Sequence, residues 1–165
     1  MTTPAKPDAV SREDERFVEG FYDRYWRSDE GPIREQVFRD WWDPAYRTLG
    51  DWIGRSKAAR MLVVGCGLGA ELVRFGGEGR RIVGVDVSAA ALARAREHGD
   101  VARAQAESLP FRDGAFDVVF ISNALMFTER AAALAEARRV CDPEGQVLLL
   151  EPMRRPLIVR WLRKL

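Results

Sequence analysis

An α/β fold, with a mostly parallel sheet flanked by helices behind a helical N-terminal cap, is what this 165-residue sequence predicts. Three observations carry the expectation. Short apolar runs without alternation, such as Met61 to Val64 and Phe116 to Ile121, read as strands buried on both faces. Helical stretches rich in Ala and Leu separate them, and strand–helix alternation implies parallel pairing with right-handed crossovers. A glycine-rich turn, Gly65 to Gly69, joins the first such strand to the first such helix.

The elements follow in order. Residues 1–58 form the expected cap, a helical lid. Ser11 with Asp14 and Glu15 reads as an N-cap and acidic first turn, and Phe17, Phe21 and Tyr25 recur at a spacing of four. Gly31-Pro32 marks a turn before Ile33 to Trp42, and Pro44 interrupts again before Tyr46 to Ile53. Residues 59–152 are the α/β domain. Its strands are expected at Met61–Val64, Arg81–Val85, Val101–Ala106, Phe116–Ile121 and Gln146–Leu150. Helices are expected at Ala70–Phe75, Ala89–His98 with Ser88 as N-cap, and Glu129–Val140, the last stopped by Asp142-Pro143-Glu144-Gly145. Residues 153–165 read as a basic amphipathic helix, because Leu157, Ile158, Trp161, Leu162 and Leu165 fall at helical spacings.

Composition narrows the function classes. Apolar residues are 47% and charged residues 31%, with five Trp and eight Phe, which describes a globular domain with a core and excludes a disordered chain. A net charge of +1 supplies no overall basic field for nucleic acid, so none is expected as a partner. No stretch reaches the ~20 apolar residues that span a bilayer, and Met1 to Asp14 has no apolar signal-peptide core. Cys66 and Cys141 form no CxxC pair, which fits a reducing cytoplasm. With one histidine, His98, a His-based metal site is not expected.

The chemistry-bearing pattern is Val63-Val64-Gly65-Cys66-Gly67-Leu68-Gly69, with Asp86 following 17 residues after Gly69. Glycines let the backbone turn sharply off a strand and approach a ligand without Cβ clashes. The amides of the following helix converge on the same place. An acid ending the next strand can accept from both hydroxyls of a ribose. The pattern therefore describes a nucleoside crevice at the carboxyl ends of strands one and two. Gly65, Gly67 and Ala70 also satisfy the dinucleotide fingerprint, so the loop alone leaves the nucleotide open.

Further segments resolve the choice: Ala106-Glu107-Ser108-Leu109-Pro110-Phe111, Asp113-Gly114-Ala115-Phe116-Asp117-Val118-Val119, and Ala137-Arg138-Arg139-Val140 before Pro143-Glu144-Gly145. In this order and spacing, Ala59 to Pro152 resembles the class I S-adenosylmethionine-dependent methyltransferases, and within them the small-molecule enzymes typified by ubiquinone and menaquinone biosynthesis. The resemblance implies a Rossmann-like sheet, S-adenosylmethionine as cofactor and a small-molecule acceptor. It places Gly65, Cys66, Gly67 and Gly69 against the methionine part, Asp86 on the ribose hydroxyls and Val87 on the adenine face. Gln105, Ala106 and Glu107 would border the adenine edge, and Ser122 would lie near the methyl group. From the cap, Tyr22, Tyr25 and Trp26 are candidates for substrate contact; equally they are core aromatics.

The sequence departs from the family at several positions. Val63 stands where the family has an acid that helps hold the cofactor's ammonium, and Gln105 where it has Asp. Met126-Phe127 replaces a common histidine, and Ser122-Asn123-Ala124-Leu125 stands in place of the Asn-Pro-Pro-Tyr element of enzymes that methylate amino groups of adenine and glutamine. No catalytic base is identified. The family's last two strands, an antiparallel pair, are expected to be missing, which would leave strand five as an edge for the terminal helix or a second copy to cover. That helix has two readings, contact with an anionic membrane surface or docking with its cationic face solvated. Two alternatives to methyl transfer remain: a catalytically silent binding or partner subunit, and an NAD-dependent oxidoreductase.

Overall fold

The computed structural model describes residues 44–56, 58–77, 79–151 and 160–162, together with 20, 23, 24 and 27. A helix over residues 44–55, α1, precedes the sheet. It is followed by β1 (Arg60–Val64), α2 (Ala70–Phe75), β2 (Arg81–Asp86), α3 (Ala89–Ala95), β3 (Asp100–Arg103) and β4 (Phe116–Ser122). A 3-10 turn at Leu125–Phe127 then leads to α4 (Arg130–Val140), β5 (Cys141–Leu150) and β6 (Arg160–Leu162).

The strands form one sheet in the order β3-β2-β1-β4-β5-β6. The first five are mutually parallel, as the alternation of strand and helix requires, and β6 runs antiparallel to β5. β1 and β4 lie at the centre, and Met61 to Val64 and Val118 to Ile121 are buried throughout. Their uninterrupted apolar sequences have this cause, since both faces are covered. On one face α1, α2 and α3 pack Tyr46, Leu49, Ile53, Leu72, Phe75 and Leu92 against Val63 and Phe120. On the other, α4 sets Ala133, Ala137 and Val140 against Leu62, Val119 and Ile121. The rings of Tyr46, Phe75 and Phe120 meet pairwise at 5.8 to 6.4 Å, two of the three contacts edge-on, the geometry that ring quadrupoles favour.

The resemblance segments have structural work in this frame. Asp117 begins β4 beside β1 and accepts the amides of Ala59 at 2.8 Å and Arg60 at 2.9 Å, with the Arg60 guanidinium on its other oxygen. Burial alone would push the Asp117 carboxyl up; these donors outweigh it and hold it below its usual range. Arg139 on α4 binds Glu136 and the carbonyls of Leu109 and Phe111, while Glu136 accepts the Leu109 amide at 2.8 Å. The Leu-Pro-Phe segment is thus pinned to α4. After α4, Cys141 pairs with Phe116 and pairing resumes at Gln146 with Val118, so residues 142–145 bulge out of the strand. Gly145 is required there: a Cβ would stand 2.6 Å from the Asp117 carbonyl.

Three expectations are corrected. β3 is shorter than expected, ending at Arg103, and α3 ends at Ala95 rather than His98. The helix expected over 153–165 does not run through residues 160–162, which form β6 and pair Arg160, Trp161 and Leu162 with Leu149, Leu148 and Val147. The cause is the backbone of β5, whose amides and carbonyls would otherwise be unpaired on that side. The β5 edge therefore has a strand on it at Val147 to Leu149. Among the described residues no helix is long and apolar enough to cross a membrane.

Candidate functional site

The site lies where the strand order reverses, at the carboxyl ends of β1 and β4, where open α/β sheets leave a crevice. Beyond Val64 the chain turns through Gly65, Gly67 and Gly69, each with positive φ (77°, 48° and 87°), a region where side chains are strained. The Val85 carbonyl accepts the amides of both Gly65 and Cys66, at 2.9 and 3.0 Å, which fastens the loop to the end of β2. Gly65 also admits a close neighbour: a Cβ there would meet that of Ala124 at 2.7 Å and the Ser122 carbonyl at 3.1 Å. The Cys66 side chain turns away into the core and fills the space beside Gly84, so only its backbone faces the loop's concave side. Small size at Cys66 is a packing requirement.

Asp86 ends β2 next to this loop. Its Oδ2 accepts the Gly67 amide at 2.9 Å and its Oδ1 accepts the Ser88 amide at 2.9 Å. The Val87 amide also lies against this carboxylate, and a carboxylate has about four lone-pair sites, so three backbone donors do not exhaust its accepting capacity. Burial pushes the Asp86 carboxyl up, against the pull of these amides. The arrangement fits two adjacent hydroxyls. Val87 follows, half-buried, with its carbonyl accepting from Arg103 at 2.9 Å.

Gln105, Ala106 and Glu107 follow β3, and the Ala104 amide reaches the Asp86 carbonyl at 3.2 Å, which brings this segment beside the acid. Gln105 closes a short bridge with Ser108, and Ala106 is buried. The Glu107 carboxylate accepts the Glu129 amide at 2.8 Å at the start of α4, so it serves the fold. Ser122 ends β4, and its hydroxyl donates to Glu71 at 2.9 Å. Tyr22, Tyr25 and Trp26 lie outside the described residues. His98 lies beyond α3, exposed, with its ring beside Gly69.

Four residues around the site were not singled out from the sequence. Asp23 accepts the Ser88 hydroxyl at 2.6 Å and the Ala90 amide at 3.2 Å, which puts this carboxylate beside the turn that follows Asp86. The Ser88 hydroxyl chiefly holds the Asp23 carboxyl below its usual range, so Asp23 is a charged carboxylate beside the site. Tyr46 and Glu71 join Ser122 in a buried polar cluster, with the Arg74 guanidinium 5.2 Å from the Tyr46 ring centre. Past β4, the Glu151 carboxylate accepts the amides of Ala124 and Leu125 at 2.9 Å each, and the turn it fixes presents Met126 and Phe127 at the surface. Burial pushes the Glu151 carboxyl up.

A glycine loop and a strand-end acid thus meet at the topological switch point of a Rossmann-like α/β sheet. Residues 62–149, more than half of the chain, match the model of the methyltransferase domain family, and the chain belongs to that family. A nocamycin O-methyltransferase of Saccharothrix syringae is 32% identical over 130 residues, which cover 72% of this chain and 46% of that protein. A demethylmenaquinone methyltransferase of Renibacterium salmoninarum is 34% identical over 109 residues, covering 64% and 46%. Among solved structures, the PH0226 protein from Pyrococcus horikoshii OT3 has a similar fold, with a TM-score of 0.63 at 24% identity over 70% of this chain and 58% of that one. The chain spans about half the length of the curated relatives it matches.

Proposed function

We propose that this chain binds S-adenosylmethionine and transfers its methyl group to a small-molecule acceptor in the cytoplasm. The observation that carries the reading is the placement of the Asp86 carboxylate against the Gly67 amide of the glycine loop, at the end of β2. A carboxylate acceptor at this place suits a ribose diol, whose hydroxyls would donate to it. The matched family and the two curated relatives, which their names describe as methyltransferases, support the reaction type. Their acceptors, a menaquinone precursor and nocamycin by name, are small molecules, which supports the acceptor class.

S-adenosylmethionine supplies an activated methyl group on a sulfonium, and the protein's share is position and exclusion of water. Asp86 and the amides of the glycine loop would fix the nucleoside, with Val87 and the segment Gln105 to Glu107 at the base. Met126 and Phe127 are exposed on the fixed turn after β4, apolar surface suited to a lipophilic acceptor. Asp23 and Tyr46 reach the elements around the loop from the N-terminal side of the chain, Asp23 on Ser88 and Tyr46 on Glu71.

Titration calorimetry of the full chain with S-adenosylmethionine and S-adenosylhomocysteine tests the reading. Binding of both in the micromolar range is expected. Folded protein that gives no heat with either would overturn it.

A further inference from the structure

Asp23, 65 positions before Ser88, meets the turn that follows β2. Its Oδ1 accepts the Ser88 hydroxyl at 2.6 Å and the Ala90 amide at 3.2 Å, and the Ala89 amide also lies against it. Arg27 stands 3.9 Å from the other oxygen. Ser88 is fully buried, so its hydroxyl proton needs a partner within the protein. The hydroxyl oxygen already accepts the Ala91 amide at 3.2 Å as the cap of α3. With Asp23 in place the hydroxyl accepts on one side and donates on the other, which fixes its rotor.

The same Ser88 donates its own amide to Asp86 Oδ1 at 2.9 Å. A continuous chain of hydrogen bonds thus runs from Asp23 through Ser88 to Asp86 and on, through Oδ2, to the Gly67 amide. The other ties on this turn come from the α/β domain itself, Ala91 on Ser88 and Arg103 on the Val87 carbonyl. Asp23 brings a tie from the N-terminal part of the chain. Attraction between charges does not put it there, because a carboxylate near Asp86 makes the Asp86 charge costlier. The donors of the turn, one hydroxyl and two amides, hold Asp23 against that repulsion.

We infer that Asp23 is a positioning residue for the ribose end of the site: through the Ser88 hydroxyl it holds the turn on which Asp86 would meet the diol. The inference rests on the function proposed above and adds to it a residue that touches no ligand. Loss of Asp23 leaves the Ser88 hydroxyl proton without its acceptor, so the hydroxyl turns toward another, and the amide that orients Asp86 moves with it.

Titration calorimetry of the full chain with S-adenosylhomocysteine and with its 2′,3′-dideoxy analogue, which lacks both ribose hydroxyls, tests this on the wild type, Asp23→Ala, Asp23→Asn and Ser88→Ala. The wild type is expected to prefer the diol. Asp23→Ala should cut that preference about three- to ten-fold, the size of one hydrogen bond, and change affinity for the dideoxy analogue less than about two-fold. Asp23→Asn, whose amide oxygen still accepts the Ser88 hydroxyl, should keep the preference within about two-fold of the wild type. Ser88→Ala, which cuts the chain of bonds at its middle, should lose as much as Asp23→Ala. A preference unchanged in Asp23→Ala, a loss shared equally by both ligands, or a loss in Asp23→Asn as large as in Asp23→Ala overturns the inference. If Asp23→Ala does not fold, an intact preference in Ser88→Ala overturns it instead. A wild type that binds both ligands equally overturns it too, since Asp86 then does not read the diol. A wild type that binds neither ligand refutes the methyltransferase reading itself, an outcome distinct from these.

Discussion

The Asp86 carboxylate accepts the Gly67 amide at 2.9 Å, so the acid that ends β2 is tied to the loop that leaves β1. One side chain thereby does two jobs. It holds the glycine loop in its positive-φ path, and in the proposed function it also accepts from the ligand. Substitution at this residue should therefore disturb binding through both routes, while the central strands stay packed.

Asp86→Ala is expected to weaken S-adenosylhomocysteine binding by about 1.5 to 3 kcal/mol, the loss of a charged acceptor, with the circular dichroism spectrum retained. Calorimetry on variant and wild type measures it. Unchanged affinity would place the ribose elsewhere.

The same residue sets a pH dependence. Burial raises the Asp86 carboxyl above its unfolded value of about 3.9, so the folded chain holds that proton at a higher pH than the unfolded chain does. Its ionisation therefore opposes folding as pH rises through the raised value. Ligand binding should show the opposite trend, weakening as pH falls through it, because the diol needs the ionised form. Affinity measured from pH 7 down to 4 should fall in the wild type and stay flat in Asp86→Asn.

Asp117 behaves in the other sense. Its carboxyl is held below the usual range, so its contribution is present above about pH 3.9 and is lost as pH falls through the depressed value. Acid unfolding of the wild type should therefore steepen below pH 4, and Asp117→Asn should flatten that limb. Fluorescence of the Trp residues across an acid titration reads the difference.

Gly145→Ala should destabilise the domain by about 1 to 3 kcal/mol, the usual cost of overpacking, because the new methyl meets the Asp117 carbonyl and the Cys141 sulfur. Urea unfolding with an unchanged m-value is the check. A neutral result would mean that the bulge at residues 142–145 shifts to accept a side chain.

Much of this architecture is written in local pattern. The buried strands declare themselves through unbroken apolar runs, and Ser88 caps α3 as its type suggests, accepting the Ala91 amide at 3.2 Å. Gly65, Gly67 and Gly69 adopt the unusual conformations that a glycine loop implies. What escaped the sequence was non-local. Glu71 in a first helical turn reads as a surface residue favoured by the helix dipole, and only the arrival of Tyr46 from α1 and Ser122 from β4 makes it a buried centre. Asp23 and Ser88 meet across 65 positions. β6 is decided by a neighbour, since the spacing of Leu157 to Leu165 is helical while pairing with β5 governs residues 160–162. The segments Leu109-Pro110-Phe111 and Ala137 to Val140 pointed to the right family, yet their side chains mostly brace the structure through Arg139 and Glu136.

The place of Cys66 against Gly84 gives the folded chain a built-in clock. The sulfur occupies the gap left by the missing methyl on β2, and Cys141 is likewise enclosed, with burial pushing its thiol up. Alkylating and disulfide-exchange reagents attack the thiolate, so neither sulfur reacts until the chain around it parts. The speed at which such a reagent consumes the two thiols would report how often the molecule breathes open, with no dye or tag attached.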